Sequence, residues 1–439
     1  MTHWPALAVL VTTLLGAASA SALEVETLRQ AGPVDKRYNI AVLGDGYRAE
    51  DQAKLKTDAQ GMIDYVFGVS PFEQYAQFFN VKLVHVISKD NGADGGTYPG
   101  QRDTALNTSY GCGGLDRSLC LPLDIGPVQA IALDAVPEVN LAIVIVNDPK
   151  YGGTGGPIAV LSANTDSFEV LAHELGHSLA GLADEYGVDD AGLTPCNEHD
   201  DCMEANVTLR SQRDQLKWKD WLEPGTPTPT PDTAQYASVV GLFEGARYLE
   251  TGIYRPEHDC KMRDLGVAYC SVCTEQLIRA FWTADNIQMI EATVPAQVDV
   301  SSTTCDPIEL SVTTPPITPS TYRYVWRVDG NLQTELTDKI VLSPRALMQG
   351  SHQVDVAVED TTNLVRTDPQ GVLEDHFAWT VSVTKDDCPI VSVAGAAPAP
   401  DSSGCACSLP RGSEDPMTLA MLGLGFAATY ACRRSSRPS

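Results

Sequence analysis

Two histidines and a glutamate stand close together in the segment His173-Glu174-Leu175-Gly176-His177. If this segment is helical, the two imidazoles lie four residues apart on one face, where both can bind one Zn²⁺ ion. The carboxylate of Glu174 can then reach a water molecule at the metal. These residues are the minimum needed to hydrolyse a peptide bond. The alternative is a solvated helix face in which Glu174 is an ordinary helix former.

The sequence around the histidines predicts the helix that positions them. Asp166 is followed three residues later by Glu169, a pattern typical of a capping box. Apolar residues then recur at helical spacing, at Phe168, Leu171, Leu175, Leu179 and Leu182. Because the histidines lie roughly opposite this stripe, we expect the leucines to face the core and the histidines to face a cleft.

A hydrolytic zinc site needs a third protein ligand and keeps a fourth position for water. Gly181 follows the second histidine, and Asp184 comes three residues after Gly181. This glycine-to-ligand spacing is similar to that of the metzincin peptidases, although Gly181 lies one residue farther from the histidine than in their pattern. We therefore predict Asp184 as the third ligand, with Glu185 as the alternative.

The longer string from His173 to Tyr186 resembles the signature of the IgA-peptidase family of zinc metallopeptidases, a metzincin-like group. Other segments agree with this resemblance, which spans roughly residues 37 to 285: Leu43–Tyr47, Phe79–Val81, Val240–Ala246, Tyr254–Pro256 and Cys260–Arg263. The resemblance implies a metzincin-like catalytic domain, one catalytic zinc ion and endopeptidase activity.

The resemblance also implies roles for residues outside the helix. Met262 matches the metzincin Met-turn, in which a methionine packs beneath the metal as a hydrophobic floor. Tyr254, Arg255 and Tyr269 are candidates for polarising the scissile carbonyl or positioning substrate. In the implied mechanism zinc acidifies a water molecule, and Glu174 accepts its proton and delivers it to the leaving amine.

Strands and helices alternate in the first part of the chain. Strands are predicted at 37–43, 79–87 and 139–146, and helices at 50–67, 127–135 and 273–283. Later segments alternate apolar and polar residues, at 298–300, 309–312, 322–328, 353–358 and 377–383. The predicted fold class is an α/β metzincin-like zinc peptidase domain at residues 23–288, a twisted mixed sheet with packed helices. A small all-β immunoglobulin-like sandwich follows at 289–390.

A glycine-rich segment precedes the histidine helix. Tyr151-Gly-Gly-Thr-Gly-Gly156 is followed by the apolar residues Ile158 to Leu161. Glycines beside an extended segment allow close backbone approach, which favours an edge strand that lines the cleft and pairs with an extended substrate. A flexible surface loop fits the same composition equally well.

Both ends of the chain predict export. Residues 1–22 read as a signal peptide, with an apolar run and a small-residue cleavage site. Residues 391–415 form a linker containing Cys405 and Cys407, and residues 416–439 carry an apolar stretch followed by arginines. This end resembles the MYXO-CTERM sorting tail of exported myxobacterial proteins, which implies processing and display at the cell surface. An unprocessed membrane anchor is the alternative.

Composition limits the classes of binding partner and indicates the redox state of the compartment. A formal net charge of −27 argues against nucleic acid and against an anionic membrane surface, because both would be repelled. Twelve cysteines in an exported chain indicate disulfides. Candidate pairs are Cys112 with Cys120, Cys196 with Cys202, and Cys305 with Cys388. Three further cysteines, Cys260, Cys270 and Cys273, cannot be paired from sequence, and a structural zinc is the less favoured interpretation in an oxidising compartment.

Two weaker metal hypotheses remain. Acidic residues crowd the loop after the histidine helix, at Asp189, Asp190, Glu198, Asp200 and Asp201. They could bind calcium, but they lack EF-hand spacing, and a solvated acidic face is favoured. His258 could also bind metal, although a lone histidine in a turn is usually solvated or packed.

The sequence supports three hypotheses on function. The first is an exported, surface-anchored zinc endopeptidase with a protein or peptide substrate. The second is an adhesin or binding protein that uses a peptidase scaffold without turnover. Glu174 favours the enzyme, because a scaffold needs no general base. The third, amide hydrolysis on cell-wall peptides, uses the same residues on a different substrate.

Overall fold

A computed structural model describes residues 23–188, 196, 200–319, 321–333 and 337–384. The predicted signal peptide (1–22), the linker (391–415) and the C-terminal tail (416–439) lie outside these residues. Within the described ranges, no helix is both long enough and apolar enough to cross a membrane.

The first part of the chain combines strands with helices. Its strands are β1 (Val25–Arg29), β2 (Tyr38–Asp45), β3 (Phe79–Val84), β4 (Ser109–Tyr110), β5 (Leu119–Cys120), β6 (Val139–Val146), β7 (Gly153–Thr154), β8 (Ile158–Ser162), β9 (Phe243–Ala246) and β10 (Leu249–Arg255). Its α-helices are α1 (Gln52–Val66), α2 (Gly126–Ala135), α3 (Ser167–Ala180) and α4 (Ser271–Trp282). Short 3₁₀ helices occur at Val34–Lys36, Ala49–Asp51, Ala76–Phe78, Cys112–Gly114, Arg213–Gln215, Lys219–Trp221 and Ala234–Tyr236.

A six-stranded mixed sheet, in the order β1-β3-β2-β6-β8-β7, forms the centre of this part. The four inner strands are parallel, and β1 and β7 pair antiparallel at the two edges. Strand β2 is buried along its whole length because helices cover both faces of the sheet. Ile40 and Val42 pack in the core that contains α1, α3 and α4, whereas Ala41 and Leu43 pack in the core that contains α2. The mixed α/β architecture predicted from the sequence is confirmed.

Helix α3 carries both histidines and ends where glycine permits a sharp reversal. Gly181 has φ 61°, a left-handed conformation that favours glycine. The turn is closed by hydrogen bonds from Gly181 N to His177 O (2.9 Å) and from Leu182 N to Gly176 O (3.1 Å). The chain after the helix is thereby returned towards the histidines.

The predicted capping box at the start of α3 is wrong. Asp166 makes no side-chain capping hydrogen bond. The Glu169 carboxylate instead accepts hydrogen bonds from Lys261 Nζ at 2.6 Å and from the Tyr65 hydroxyl. Lys261 is only 1 % exposed, so its ammonium group needs a charged partner, and this requirement takes precedence over the local cap.

The second part of the chain is mostly β. Its elements are β11 (Ala292–Val294), β12 (Asp299–Ser302), β13 (Ile308–Thr313), β14 (Tyr322–Val328), β15 (Asn331–Leu332), β16 (Lys339–Leu342), α5 (Pro344–Leu347), β17 (Gly350–Asp360) and β18 (Glu374–Val383). They form a three-stranded sheet, β11-β13-β16, and a five-stranded sheet, β12-β18-β17-β14-β15. Both sheets contribute to one core, in which the fully buried rings of Trp326 and Trp379 stack at 5.7 Å.

Polar side chains join the β-rich part to the first part. The Tyr75 hydroxyl donates to Asp360 Oδ2 at 2.6 Å in a buried position. The guanidinium group of Arg37 lies 3.1 Å from the carboxylate of Glu291. Packing in the shared core and these polar pairs join the two parts.

Two of the predicted disulfides are confirmed. Cys112 bonds to Cys120, and Cys196 bonds to Cys202. Cys305 is also in a disulfide, while its predicted partner Cys388 lies outside the described residues. The remaining described cysteines are free and buried: Cys260, Cys270 and Cys273.

We predict that Asp360→Ala lowers the free energy of unfolding by about 1–3 kcal/mol, because the buried Tyr75 hydroxyl loses its acceptor. Urea unfolding of the full chain, followed by tryptophan fluorescence, measures the change. Asp355→Ala is the control, since its partner Arg327 lies 3.7 Å away in a partly exposed pair worth at most about 1 kcal/mol. Equal losses in both variants would contradict a special role for Asp360.

Candidate metal centre

Three donor atoms converge beside helix α3. Nε2 of His173 and Nε2 of His177 lie 3.2 Å apart. Oδ1 of Asp184 lies 3.0 Å from the first nitrogen and 3.4 Å from the second. Two imidazoles and one carboxylate are the donor set of a catalytic zinc site with an open fourth position, so these residues fit the metal.

Backbone carbonyl groups fix the orientation of both imidazoles. Nδ1 of His173 lies 2.8 Å from the carbonyl oxygen of Lys261, and Nδ1 of His177 lies 2.6 Å from that of Leu182. A carbonyl oxygen can only accept, so each Nδ1 carries the proton and donates it. Both Nε2 atoms therefore present their lone pairs to the same point, as metal-binding histidines do.

Charge at the cluster supports a cation between the three side chains. Burial lowers the pKa of His177, but the hydrogen bond to Asp184, the negative charges of Asp184 and Glu174, and the hydrogen bond to the Leu182 carbonyl together outweigh burial and raise the pKa to about 9. Burial also opposes ionisation of Asp184, yet the two imidazoles hold its pKa well below the usual range. In the absence of metal a proton thus balances the carboxylate, and a divalent ion can take its place.

Glu174 lies against the glycine-rich segment. A Cβ atom on Gly155 would lie 2.5 Å from His177 Cβ and 2.9 Å from Glu174 Oε2. A Cβ atom on Gly153 would lie 2.7 Å from the side chain of Val170. Only glycine permits this close approach of strand β7 to the histidine face of α3. Burial raises the pKa of Glu174 above its usual value, which suits a group that accepts and returns a proton.

An open cavity of about 670 Å³ contains the cluster. Its wall includes the two histidines, Glu174, Asp184 and part of the glycine-rich segment. Strand β7 is an edge strand of the six-stranded sheet and lines this cavity. The edge-strand interpretation therefore holds for Gly153–Thr154, whereas the apolar residues after the glycines form β8, an inner strand of the sheet.

Asp184 is held by contacts on both sides of its own backbone. Asn206, which is fully buried, accepts from Ala183 N at 2.9 Å and donates to Ala183 O at 2.8 Å. Arg247 N donates to Asp184 O at 2.8 Å, and Glu185 N donates to Met262 O at 2.8 Å. The third donor is therefore positioned by residues distant in sequence.

The side chain of Glu185 points to a different cluster. Its carboxylate accepts from Asn206 Nδ2 at 2.8 Å and lies beside buried cysteines. It is not part of the group formed by His173, His177 and Asp184. The alternative of Glu185 as a ligand beside the histidines therefore does not agree with the geometry.

Met262 lies under the helix that carries the histidines. It is fully buried, and a Cβ atom on Gly176 would lie 2.3 Å from its sulfur atom. This contact places Met262 against the helix that carries both histidines, and its role as a floor beneath the metal stays a prediction. Gly176 in the centre of the motif is thus the position at which the methionine approaches the helix backbone.

The structure does not bring the predicted substrate-contact residues to the cavity, in the part of the chain that it describes. Arg255 is 2 % exposed and donates to the carbonyl oxygens of Glu244 and Gly245, both at 2.7 Å. The buried hydroxyl of Tyr269 donates to Ala172 O. Tyr254 lies in β10 and does not line the cavity. The prediction that these three residues contact substrate is therefore corrected. The side chains of Arg255 and Tyr269 bind main-chain carbonyl oxygens instead, and Tyr254 belongs to a strand away from the cavity.

Other aromatic and basic residues occupy the cavity wall instead. The Tyr248 hydroxyl donates to Asp184 Oδ2. The rings of Tyr248 and Tyr186 meet edge to face at 5.1 Å, and Arg117 donates to the Tyr186 hydroxyl at 3.2 Å. No motif in the sequence marks Tyr248, which follows the family-like segment Val240–Ala246 by two residues.

The weaker metal hypotheses are not strengthened by the structure. Nε2 of His258 lies 2.7 Å from Asp232 Oδ1, and Nδ1 lies 2.7 Å from Asp259 Oδ1. The Asp201 carboxylate accepts hydrogen bonds from Thr208 Oγ1 and Leu209 N, both at 2.6 Å. Asp200 is exposed, and Asp189, Asp190 and Glu198 lie outside the described residues, so calcium binding stays a prediction.

Comparison with known families defines the class of the protein. The sequence matches the family model described as IgA Peptidase M64 at residues 26–236 and 232–281. The match indicates that the protein is a peptidase. Because the match covers more than half of the sequence, the chain belongs to the IgA Peptidase M64 family. Membership implies a metal cofactor, in agreement with the donor cluster beside α3.

Comparison with individual proteins adds little. No curated protein matches the sequence. Among solved structures, fibronectin(III)-like modules of Clostridium thermocellum CbhA share 13% identity, with 21% of this chain and 92% of that chain covered and a TM-score of 0.15. An endo-beta-1,4-mannanase from Thermotoga petrophila shares 11% identity, with 75% of this chain and 62% of that chain covered and a TM-score of 0.16. TM-scores this low carry no information about fold or function.

We predict that Asn206→Ala weakens metal retention and lowers the free energy of unfolding by about 1–3 kcal/mol, because buried groups of Ala183 lose their partner. Metal content after dialysis and urea unfolding measure the two effects. Gln60→Ala is the control, since Gln60 bonds Asp64 on the surface of α1. Unchanged metal retention in Asn206→Ala would contradict its role in positioning Asp184.

We predict that Gly155→Ala destabilises the protein by about 1–3 kcal/mol, because its Cβ atom cannot fit against the Cβ atom of His177. Neither Cβ atom can move without its backbone. Gly225→Ala is the matched control, since a Cβ atom there meets nothing within 4 Å. Thermal unfolding compares the two variants, and equal melting temperatures would show that the chain directly after β7 does not pack tightly on α3.

Proposed function

We propose that this protein is an exported zinc endopeptidase. One observation carries the proposal: the convergence of His173, His177 and Asp184 on one point beside Glu174, in a cavity open to solvent. These three side chains would hold the zinc ion. Membership of a peptidase family supports a peptide bond as the target.

The residues of the site divide the chemistry between them. Zinc, when bound, supplies a Lewis acid that acidifies water and polarises a carbonyl group. Glu174 accepts the proton of the attacking water at a carboxylate oxygen and delivers it to the leaving amine. Tyr248 orients Asp184 through its hydroxyl group. The carbonyl groups of Lys261 and Leu182 keep both imidazoles in the required tautomer.

The shape of the cavity favours an extended peptide. Strand β7 ends the sheet, and Ser118 bridges only to Gly153 on its outer side. Residues 154–156 line the cavity beyond this bridge and offer backbone groups to a substrate strand. Arg117 and Arg263 also line the cavity and place positive charge in it, in a chain with a net charge of −27.

The proposal includes a metzincin-like catalytic fold and an immunoglobulin-like arrangement of the β-rich part. The position of Met262 beneath Gly176 supports the first. The shared core of the two later sheets supports the second. Disulfides in the described residues support export, since such bonds persist in oxidising compartments. Display at the cell surface rests on the sequence of residues 416–439.

We predict that Glu174→Gln retains zinc and loses about 10²–10⁴-fold in kcat, because the amide cannot accept the proton of water. Cleavage of casein and of proteome-derived peptides, with and without a zinc chelator, measures activity, and elemental analysis measures zinc. Glu50→Gln is the control, because Glu50 is exposed in the short 3₁₀ helix before α1.

Two results would contradict the proposal. Normal turnover by Glu174→Gln would exclude this residue as the general base. Absence of cleavage by the wild-type chain with its zinc bound would favour the alternative, a surface adhesin or binding protein on a peptidase scaffold.

A further inference from the structure

A second cluster of metal-binding side chains lies apart from the histidines. It consists of Cys260, Cys270, Cys273 and Glu185. One ligand atom from each residue lies within 4.8 Å of all the others. All four residues are buried, and Cys260, Cys273 and Glu185 have no exposed surface.

The three cysteines of this cluster differ from the other described cysteines. Those at 112, 120, 196, 202 and 305 are in disulfides, whereas Cys260, Cys270 and Cys273 are free. Three thiols cannot all form disulfides with one another. A disulfide between any two of them would leave a single buried thiol beside a carboxylate.

Backbone groups around the sulfur atoms are arranged for thiolates. Met262 N and Cys270 N point at Cys260 Sγ, at 3.5 and 3.2 Å. Cys273 N points at Cys270 Sγ at 3.3 Å. Amide donors of this kind stabilise negative charge on sulfur, and Cys270 and Cys273 stand at the spacing of a metal-binding C-x₂-C pair.

Glu185 supplies an acceptor that no donor satisfies. Its Oε1 atom accepts from Asn206 and lies 3.1 Å from Cys273 Sγ. Its Oε2 atom has no hydrogen-bond partner among the residues that the structure describes. Burying a carboxylate without a full set of hydrogen-bond partners costs on the order of several kcal/mol. A cation beside the carboxylate compensates this cost.

We propose that Cys260, Cys270, Cys273 and Glu185 bind a structural zinc ion in four-coordinate geometry. Each thiol releases its proton to solvent on binding, so three thiolates and one carboxylate surround the ion. The remaining negative charge is offset by the amide donors and by the buried guanidinium group of Arg255, which interacts electrostatically with Glu185.

The position of this site gives it a role in holding the histidine cluster. Glu185 follows Asp184 directly, and Cys260 belongs to the loop whose Lys261 carbonyl orients His173. Cys270 and Cys273 lie at the start of α4. The ion therefore cross-links three segments that meet beneath the catalytic site. Its existence does not depend on the proposed catalysis.

Metal analysis and thiol mapping of the wild-type full chain test the proposal directly. We expect about two zinc ions per chain, one for each cluster. After denaturation with a chelator, alkylation and peptide mapping should find Cys260, Cys270 and Cys273 all as free thiols. A mapped disulfide between any two of them, or a well-folded chain whose only zinc ion is lost in His173→Ala, would overturn the proposal.

Variants assign each zinc ion to its cluster. Cys270→Ser and Glu185→Gln should each lose about one zinc ion and lower the melting temperature, whereas His173→Ala should lose the other ion and keep this one. Replacement of the remaining ion in His173→Ala by Co²⁺ should give sulfur-to-cobalt charge-transfer absorption. Absence of that absorption would refute thiolate ligands.

Two further comparisons separate this inference from the proposed function. Replacing both Cys112 and Cys120 by serine removes a disulfide whose cysteines belong to neither cluster and should leave both zinc ions bound. If wild-type protein holds thiolate-bound zinc but shows no proteolysis, the proposed function fails and the structural site stands. If the protein shows proteolysis and holds a single histidine-bound ion, the structural site fails and the proposed function stands.

Discussion

Three electron-rich atoms face one another in the cavity beside α3: Nε2 of His173, Nε2 of His177 and Oδ1 of Asp184. Their separations of 3.0 to 3.4 Å are unfavourable unless a proton or a metal ion lies between them. The raised pKa of His177 is the metal-free response to this constraint. Much of the surrounding structure serves to hold these atoms in place against their mutual repulsion.

Small residues and main-chain groups supply that support. Gly181 turns the chain back after α3, and the carbonyl of Leu182 then meets His177. Gly155 and Gly176 let a strand and a methionine approach the two sides of the helix. Each contact uses a backbone group or the absence of a side chain, so the geometry is rigid and has little tolerance for larger residues.

Consecutive residues of one short segment serve two different clusters. Asp184 turns to the histidines, and Glu185 turns to the three buried cysteines. Asn206 and the backbone of Met262 hold the segment between them. A proposed structural ion on one side would therefore restrain the ligand on the other, which links the stability of the loop around Met262 to the affinity of the catalytic metal.

The sequence by itself determined the local features. Helical spacing placed both histidines on one face, strand 139–146 was predicted at its observed bounds, and closely spaced cysteines predicted two disulfides. The helix and strand predictions depend on the periodicity of apolar residues, and the disulfide predictions depend on the short loops between the cysteines. Tertiary structure alone decided which residue pairs with Glu169 and which residues surround Asp184. It also decided that the side chain of Glu185 joins the cysteine cluster. The physical reason is that Asp184 and Glu185 are adjacent carboxylates with similar local propensities. Only packing against residues 206, 247 and 262 sets the direction in which each side chain points.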